Sequence, residues 1–160
     1  MQIPKNGLHL HRFQICNDYN IAMDVKMHQY LINFGVKPSM QRLAIMEYLM
    51  THRTHPTVDE IYTALSPSMP TLSKTTVYNT LRLLAEHGAV VALDMDARNT
   101  RFDGDVTPHA HFYCKVCGRI EDLPLVGGER LMQAVPDSLE VSDVQVYYKG
   151  ICRACKHEMN

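Results

Sequence analysis

No stretch of the chain comes near the run of about 18 apolar residues that a membrane-crossing helix requires, so a protein anchored by transmembrane helices is excluded. A secretory leader is lacking too. Residues 1–22, MQIPKNGLHLHRFQICNDYNIA, start basic but hold no continuous apolar stretch and no small-residue cleavage site. A cytoplasmic protein is therefore expected, with residues 1–22 as a disordered extension ahead of the first helical pattern. Nor is there an excess of basic charge: a net charge of -1 and a pI near 6.7 leave no global footprint for nucleic acid, so any such case has to come from local motifs. The rest of the composition, 46% hydrophobic and 21% charged, is that of a soluble globular protein, and 160 residues suffice for one core or for two modest ones.

Along the chain, Val25, Met27, Tyr30, Leu31 and Phe34 recur at helical spacing and stop at Gly35. Ser39 is placed as the N-cap of a second helix with the apolar stripe Leu43, Met46, Leu49 and Met50, running to about Thr51. A third follows His55-Pro56-Thr57, carrying Val58, Ile61, Tyr62 and Leu65 before Pro67 and Pro70. Ser73 caps a fourth that buries Val77, Leu81 and Leu84 and ends at Gly88. Its opposite face presents Thr75, Tyr78, Asn79 and Arg82. The pattern then changes to strand: AVVALD, a turn at residues 95–99, and TRFD. Helices followed by a two-stranded hairpin are the order of a winged helix-turn-helix. That order points the polar face of the fourth helix at DNA, although such a face is also what a merely solvated helix presents.

Residues 104–108, GDVTP, are read as a hinge between a reading head over 23–103 and a second unit over 109–160. In the second unit HAHFYC and RIEDLP are short strands, a short helix covers roughly 129–135, and LEVSDVQVYYKG is a longer strand. The expected class is α+β: an N-terminal winged helix-turn-helix plus a small C-terminal α/β unit. With only about 50 residues, that second unit needs a metal, a disulfide or a partner chain for stability.

Cysteine usage supplies the first. Paired thiols in a chain without an export signal point to metal or redox roles rather than disulfides. Cys114-Lys115-Val116-Cys117 and Cys152-Arg153-Ala154-Cys155 are two CxxC knuckles, and together they complete the tetrahedral all-sulfur shell that zinc accepts. Gly118 and Gly150 suit the tight turns that aim the sulfurs. A thiol oxidoreductase is the alternative from another class, since CxxC is also a dithiol motif; a metal buffer or interaction module is a third. The fifth cysteine, Cys16, reads as a free thiol in the extension. A second constellation lies on HAHFYC, where period-two spacing puts His109 and His111 on one side. Asp103, Asp122 and His55 could join them, though each has a bland reading as a solvated surface group.

The runs GVKPSMQR at 35–42, HPTVDEIY at 55–62, TTVYNTLR at 75–82, RFD at 101–103, HAHFYCKVCG at 109–118 and KGICRAC at 149–155 resemble the ferric uptake regulator family, in order, over about residues 24 to 157. The resemblance is greatest to its peroxide-responsive members. It implies a homodimeric repressor of inverted-repeat operators, not an enzyme, with structural zinc on Cys114, Cys117, Cys152 and Cys155 and the C-terminal unit as the dimerisation domain. It further implies a regulatory Fe(II) or Mn(II) on His55, Asp103, His109, His111 and Asp122, with His55 or His109 gaining an oxygen atom from peroxide. Aspartate at both carboxylate positions and Asn79 in the fourth helix match that branch; iron sensors usually carry Glu and Arg. The alternatives within the family are an iron-uptake or a zinc-uptake repressor. Ser39-Met40 departs from the family's usual Thr-Pro, and Asp143-Val144 replaces histidine found in many members, which removes support for a further histidine-containing metal site.

A nitrogen and oxygen shell without thiolate suits Fe(II) or Mn(II) and keeps that ion distinct from thiolate-bound zinc. Its ligands come from both sides of the expected hinge, so metal would fix the angle between the units and, in a dimer, the spacing of the two reading helices. Expected DNA contacts are Tyr78 to a thymine methyl or sugar edge, Asn79 to a base edge, Arg82 to a base or phosphate, and Lys74 and Arg42 to phosphates, with Thr75 and Thr76 beside them.

Overall fold

The structure, a computed structural model, describes residues 25–95, 99–128, 130–131 and 135–158. The extension at 1–22 with Cys16, the tip of the expected hairpin at 96–98, and most of the expected helix at 129–135 lie outside the described residues.

Helix α1 runs to residue 33, followed by α2 (Met40–Thr51), α3 (Val58–Leu65) and α4 (Lys74–Glu86). Each start has a local cause. Ser39 accepts from the Arg42 N–H at 3.4 Å, and Ser73 from the Thr76 N–H at 3.1 Å. Thr57 and Glu60 close a full capping box, with Thr57 N–H on Glu60 Oε2 at 2.6 Å and Glu60 N–H on Thr57 Oγ1 at 3.2 Å. Helices α1 and α4 end alike: Gly35 and Gly88 take φ of 70° and 71°, and the next residue's N–H bonds back five residues, Val36 to Leu31 and Ala89 to Leu84.

The helices enclose one apolar core from Leu31, Ile45, Met46, Leu49, Ile61, Val77, Leu81 and Leu84, all at most 2% exposed. Strands β1 (Val91–Leu93) and β2 (Arg101–Asp103) pair antiparallel, Ala92 opposite Phe102, and Phe102 joins that core. Helices α3 and α4 with this hairpin are a winged helix-turn-helix.

A three-stranded sheet in the order β4-β3-β5 follows, from β3 (Ala110–Cys114), β4 (Ile120–Leu123) and β5 (Val146–Gly150). Strand β4 is antiparallel to β3, and β5 is parallel to it. The long strand expected over 139–150 is a correction: only Val146–Gly150 is strand. Its register on β3 runs from Ala110 opposite Val146 to Cys114 opposite Gly150, so the pairing is as long as β3 itself. Beyond it, Gln145 turns its amide to the Asp143 carboxylate at 2.7 Å and the Ala92 carbonyl at 3.2 Å. Gly150 is a second correction. It sits in extended strand rather than a tight turn, and its need for no side chain is steric, because an added Cβ would lie 3.1 Å from the Phe112 ring. A short helix, α5 (Arg153–Glu158), closes the chain and was not expected from the sequence.

Two features set the wing against the sheet. Leu93 and Met95 at the end of β1 are buried with Ile120, and Val91, Tyr113 and Tyr147 pack around them. Lys149 Nζ donates to the Met95 carbonyl at 3.0 Å. The connecting segment is equally tight: Gly104 is buried against Leu49, Asp105 N–H bonds Asp103 Oδ1 at 2.8 Å, and Thr107 bonds Asp105 Oδ1 through both N–H and hydroxyl.

Candidate metal centres

The four knuckle cysteines converge. Cys114 ends β3, and the turn through Cys117 closes with the Gly118 N–H on the Cys114 carbonyl at 2.9 Å, Gly118 taking φ of 73°. Cys152 follows β5, its N–H donating to Cys114 Sγ at 3.3 Å, and the first turn of α5 brings Cys155 round to the same point. All four sulfurs lie within 4.8 Å of one another, Cys117 Sγ and Cys152 Sγ at 3.8 Å. A tetrahedron with zinc–sulfur bonds near 2.3 Å has edges of about 3.8 Å. Electrostatics agree with that fit. N–H groups of Cys117 and Cys152 directed at Cys114 bring its thiol down to about 6, while the neighbouring Cys152 sulfur and burial push Cys155 up to about 12. The first thiolate forms easily and the last only beside a cation, which a dication supplies.

The second cluster joins the helical part of the chain to the sheet. His55 lies in the loop before α3, Asp103 ends β2, His109 precedes β3, His111 is within β3, and Asp122 sits opposite His111 on β4. Their five ligand atoms all fall within 4.8 Å. Asp103 Oδ2 is 2.9 Å from His109 Nε2, 3.1 Å from His111 Nε2 and 3.5 Å from His55 Nε2, while Asp122 Oδ1 is 2.8 Å from His55 Nε2. The Nε2 atoms of His109 and His111 are 3.0 Å apart. Adjacent ligands about 2.1 Å from one ion stand about 3 Å from each other, so the spacing is that of a coordination shell. His55 is buried, and neither ring nitrogen makes a well-aligned hydrogen bond although Nε2 lies 2.8 Å from Asp122 Oδ1 and 3.5 Å from Asp103 Oδ2, an arrangement that an ion at Nε2 would satisfy. His109 Nδ1 meets the Thr107 carbonyl at 2.7 Å; donating there leaves the Nε2 lone pair directed at the cluster. Thr107 is thus a supporting residue that sequence reading missed, because a backbone carbonyl leaves no residue-type signal.

On α4, Thr75, Tyr78, Asn79 and Arg82 are exposed on one face as expected. Thr76 is half-buried and spends its hydroxyl on Ser73 Oγ at 2.8 Å. The cationic groups hold surface partners: Lys74 Nζ meets Asp59 at 2.7 Å, Arg82 meets Glu86 at 3.4 Å, and Arg42 donates to the Lys37 carbonyl at 2.6 Å. Exposed ion pairs are worth little and exchange readily for other anions. An open groove of about 400 Å³ runs between α3, α4 and the wing, lined by Asp59, Tyr78, Arg82, Asn99 and Thr100 among others.

Residues 33–148 match the model of the ferric uptake regulator family. The chain belongs to that family. It is 41% identical over 129 residues to the peroxide-responsive repressor PerR of Staphylococcus epidermidis, covering 79% of this chain and 85% of that protein, and 40% identical over 125 residues to the PerR of Staphylococcus aureus strain USA300, covering 76% and 84%. Its fold is that of the Vibrio cholerae ferric uptake regulator, with a TM-score of 0.63 at 22% identity over 78% of this chain and 98% of that one.

For this member of the family the cluster's charge state has a measurable consequence. Burial pushes the Asp103 carboxyl up, but the hydrogen bond from His111, the close approach and charge of the His55 ring and the Asp105 N–H outweigh it and hold Asp103 far below the usual carboxylate range. Burial lowers His109, yet its bond to the Thr107 carbonyl and the charges of Asp103, Asp122 and Asp105 raise it above its ordinary value. Asp103 therefore stays ionised throughout the neutral range, and a proton on His109, whose pKa is raised, competes with metal. Mn(II) affinity is expected to fall from about pH 8 to about pH 6, starting above the ordinary histidine pKa of about 6.5. A titration followed by electron paramagnetic resonance checks this; affinity flat over that interval would contradict it.

Proposed function

We propose that this chain is a metal-dependent, peroxide-responsive transcriptional repressor that binds inverted-repeat operator DNA as a homodimer in the cytoplasm. The observation carrying this reading is the five-residue nitrogen and oxygen cluster that ties the winged helix to the sheet. Identity of 40–41% to repressors named for peroxide response supports the signal. In this reading the head spans 23–103, residues 104–108 form the joint, and 109–160 dimerise and hold the metals.

His55, Asp103, His109, His111 and Asp122 hold the regulatory Fe(II) or Mn(II), and Cys114, Cys117, Cys152 and Cys155 hold the structural zinc. When bound, Fe(II) supplies the electron that reduces peroxide beside the imidazoles, which Mn(II) does not do readily. His55 or His109 would be the ring that is oxidised, one oxygen of the peroxide going to a ring carbon and the other leaving as water. An oxidised imidazole is a poorer ligand, so the contact between head and sheet loosens and the spacing of the two α4 helices is lost. The four sulfurs, closed around zinc in a separate cluster, are not the sensor. Apolar surface on the C-terminal unit supports a second copy there: Leu131, Val141 and Val144 are exposed in the lining of an open groove of about 570 Å³, and Val126 and Leu139 are exposed in the same unit. Among the described residues no helix is long and apolar enough to cross a membrane.

Tyr78 and Asn79 read base or sugar edges, Arg82 a base or phosphate, and Lys74 and Arg42 phosphates, with Thr75 and Thr76 beside them. The test is operator retention with Fe(II), Mn(II) or Zn(II), before and after brief peroxide exposure, read with peptide mass spectrometry. Release with Fe(II) alone, with oxygen added at His55 or His109, is the expected result. No release would favour an iron-uptake repressor; oxidation confined to the four cysteines would favour a thiol switch. In the same assay Arg82→Ala should weaken binding by about 1–3 kcal/mol without changing the melting temperature, and unaltered affinity would remove Arg82 from the interface.

A further inference from the structure

His55 is held in an unusual way. Among the described non-glycine residues it alone has positive φ, at 52°, and it stands directly before Pro56, where backbone choice is already narrow. A side chain with a Cβ does not adopt the left-handed region without cause. Three consecutive residues of β2 supply one. Arg101 Nη1 donates to the His55 carbonyl at 3.1 Å, the Phe102 N–H donates to the Pro56 carbonyl at 3.0 Å, and the Asp103 carboxylate faces the His55 ring at 3.5 Å. The same Arg101 nitrogen lies 3.5 Å from Glu60 Oε2, the oxygen that closes the α3 capping box on Thr57. Arg101 is mostly covered, its side chain 18% exposed, so these contacts are poorly screened.

We infer that Arg101 is a positioning residue for the regulatory cluster: it clamps the His55 carbonyl against the start of α3, fixes the left-handed backbone there, and so aims a buried imidazole at its co-ligands. The sequence motif Arg-Phe-Asp then has one role per residue: a guanidinium for the His55 carbonyl, a backbone N–H and a core ring from Phe102, and a ligand from Asp103. A guanidinium suits this better than an ammonium, since its rigid plane fixes the two N–H bonds of Nη1, one toward the carbonyl and one toward the carboxylate, where an ammonium on a flexible stem is free to turn. The inference rests on the metal-binding reading of the five-residue cluster.

The experiment measures Mn(II) affinity by electron paramagnetic resonance in full-length zinc-loaded protein for wild type, Arg101→Met, Arg101→Lys, His55→Ala and the double variant Arg101→Met/His55→Ala. The His55 ring signals of metal-free protein are recorded in parallel by NMR. Arg101→Met is expected to lose about tenfold in Mn(II) affinity and to shift the His55 signals, with one zinc retained per chain. Arg101→Lys should recover part of the loss. Once His55 is alanine, Arg101→Met should cost nothing further, because its effect runs through that imidazole. Unchanged affinity in Arg101→Met, an equal loss with or without His55, or a loss accompanied by zinc release would each overturn the inference while leaving the metal reading intact. Failure of the wild type to take up Mn(II) at all would overturn the metal reading and the inference with it.

Discussion

Replacing Cys117 with Ser is expected to abolish zinc retention and, with it, the folded C-terminal unit and the dimer. The argument is one of core size. Apart from the junction with the wing, the buried apolar cluster of that unit among the described residues consists of Cys114, Cys152 and Cys155, with Phe112 packed against them. The other apolar cluster touching the sheet depends on Leu93 and Met95, which belong to β1 and its end. Without metal, the sheet has cysteines where another domain has leucines, and four thiols around one point cannot all ionise. Structural zinc contributes about 10–16 kcal/mol of apparent binding free energy near pH 7, and removing one of four thiolates forfeits enough of it to exceed the stability of so small a unit. Cys117 is the informative position because it is the exposed member of the four, so its loss perturbs ligation rather than packing. The helical head has its own core from Leu31 to Phe102 and should stay folded. Zinc content by mass spectrometry, sedimentation and circular dichroism report the three parts separately. A stable, zinc-free Cys117→Ser dimer would refute the assignment.

That same contrast between local and distant causes explains what could be read from the chain beforehand. Ser39, Ser73, Gly35 and Gly88 mark helix ends through contacts within five residues, and they are found where the pattern places them. The CxxC knuckles were legible for the same reason, since each is a self-contained turn. Strand β5 was not: its length is set by Ala110–Cys114, more than thirty residues upstream, and nothing in LEVSDVQVYYKG says where that partner ends. Helix α5 went unseen because its six residues carry their signal as zinc ligands rather than as an apolar stripe. The regulatory cluster lay between these cases. Period two put His109 and His111 together, but His55 and Asp103 reach them only through the tertiary path of α3, α4 and the hairpin, so the residue pattern offered them as candidates and the family resemblance selected them. Burial of Leu93 and Met95 against Tyr113 and Tyr147 had no precursor in the pattern, because an alternating hairpin buries one face whatever it meets.

Asp103→Asn is expected to uncouple DNA binding from metal while leaving zinc and the dimer in place. Asp103 Oδ2 lies within 3.5 Å of all three imidazole Nε2 atoms, closer to His109 and His111 than Asp122 Oδ1 comes, and it sits at the end of β2, so its loss weakens the link between head and sheet from the head's side. Asparagine is the right replacement because it retains the Oδ1 acceptor on which the Asp105 N–H depends. Alanine would remove that bond and confuse strain with ligation. The change deletes one negative charge about 2 Å from a dication; with an effective dielectric of about 20 the Coulomb energy at that distance is roughly 16 kcal/mol, most of which is offset because carboxylate and ion no longer lose their hydration to each other and water takes the position that the amide nitrogen cannot fill as a ligand. A loss in Mn(II) affinity on the order of 100-fold follows. Linkage then dictates the operator: if metal strengthens DNA binding by a typical coupling of about 1–3 kcal/mol, the variant at moderate Mn(II) should bind roughly 5–150-fold more weakly than wild type, at the level of metal-free wild type. The pH sign is also fixed. A carboxyl held below its unfolded pKa stabilises the fold at every pH above that value and stops doing so only in acid, so metal-free Asp103→Asn should melt lower than metal-free wild type at neutral pH, and the gap should close as pH falls below about 4. Fluorescence anisotropy with a fixed operator across Mn(II) concentrations measures the coupling, and thermal melts in chelator measure the pH term. If Asp103→Asn retained wild-type operator affinity and its full response to Mn(II), the five-residue cluster would not be the device that sets the reading heads, and the metal dependence would have to come from the zinc site.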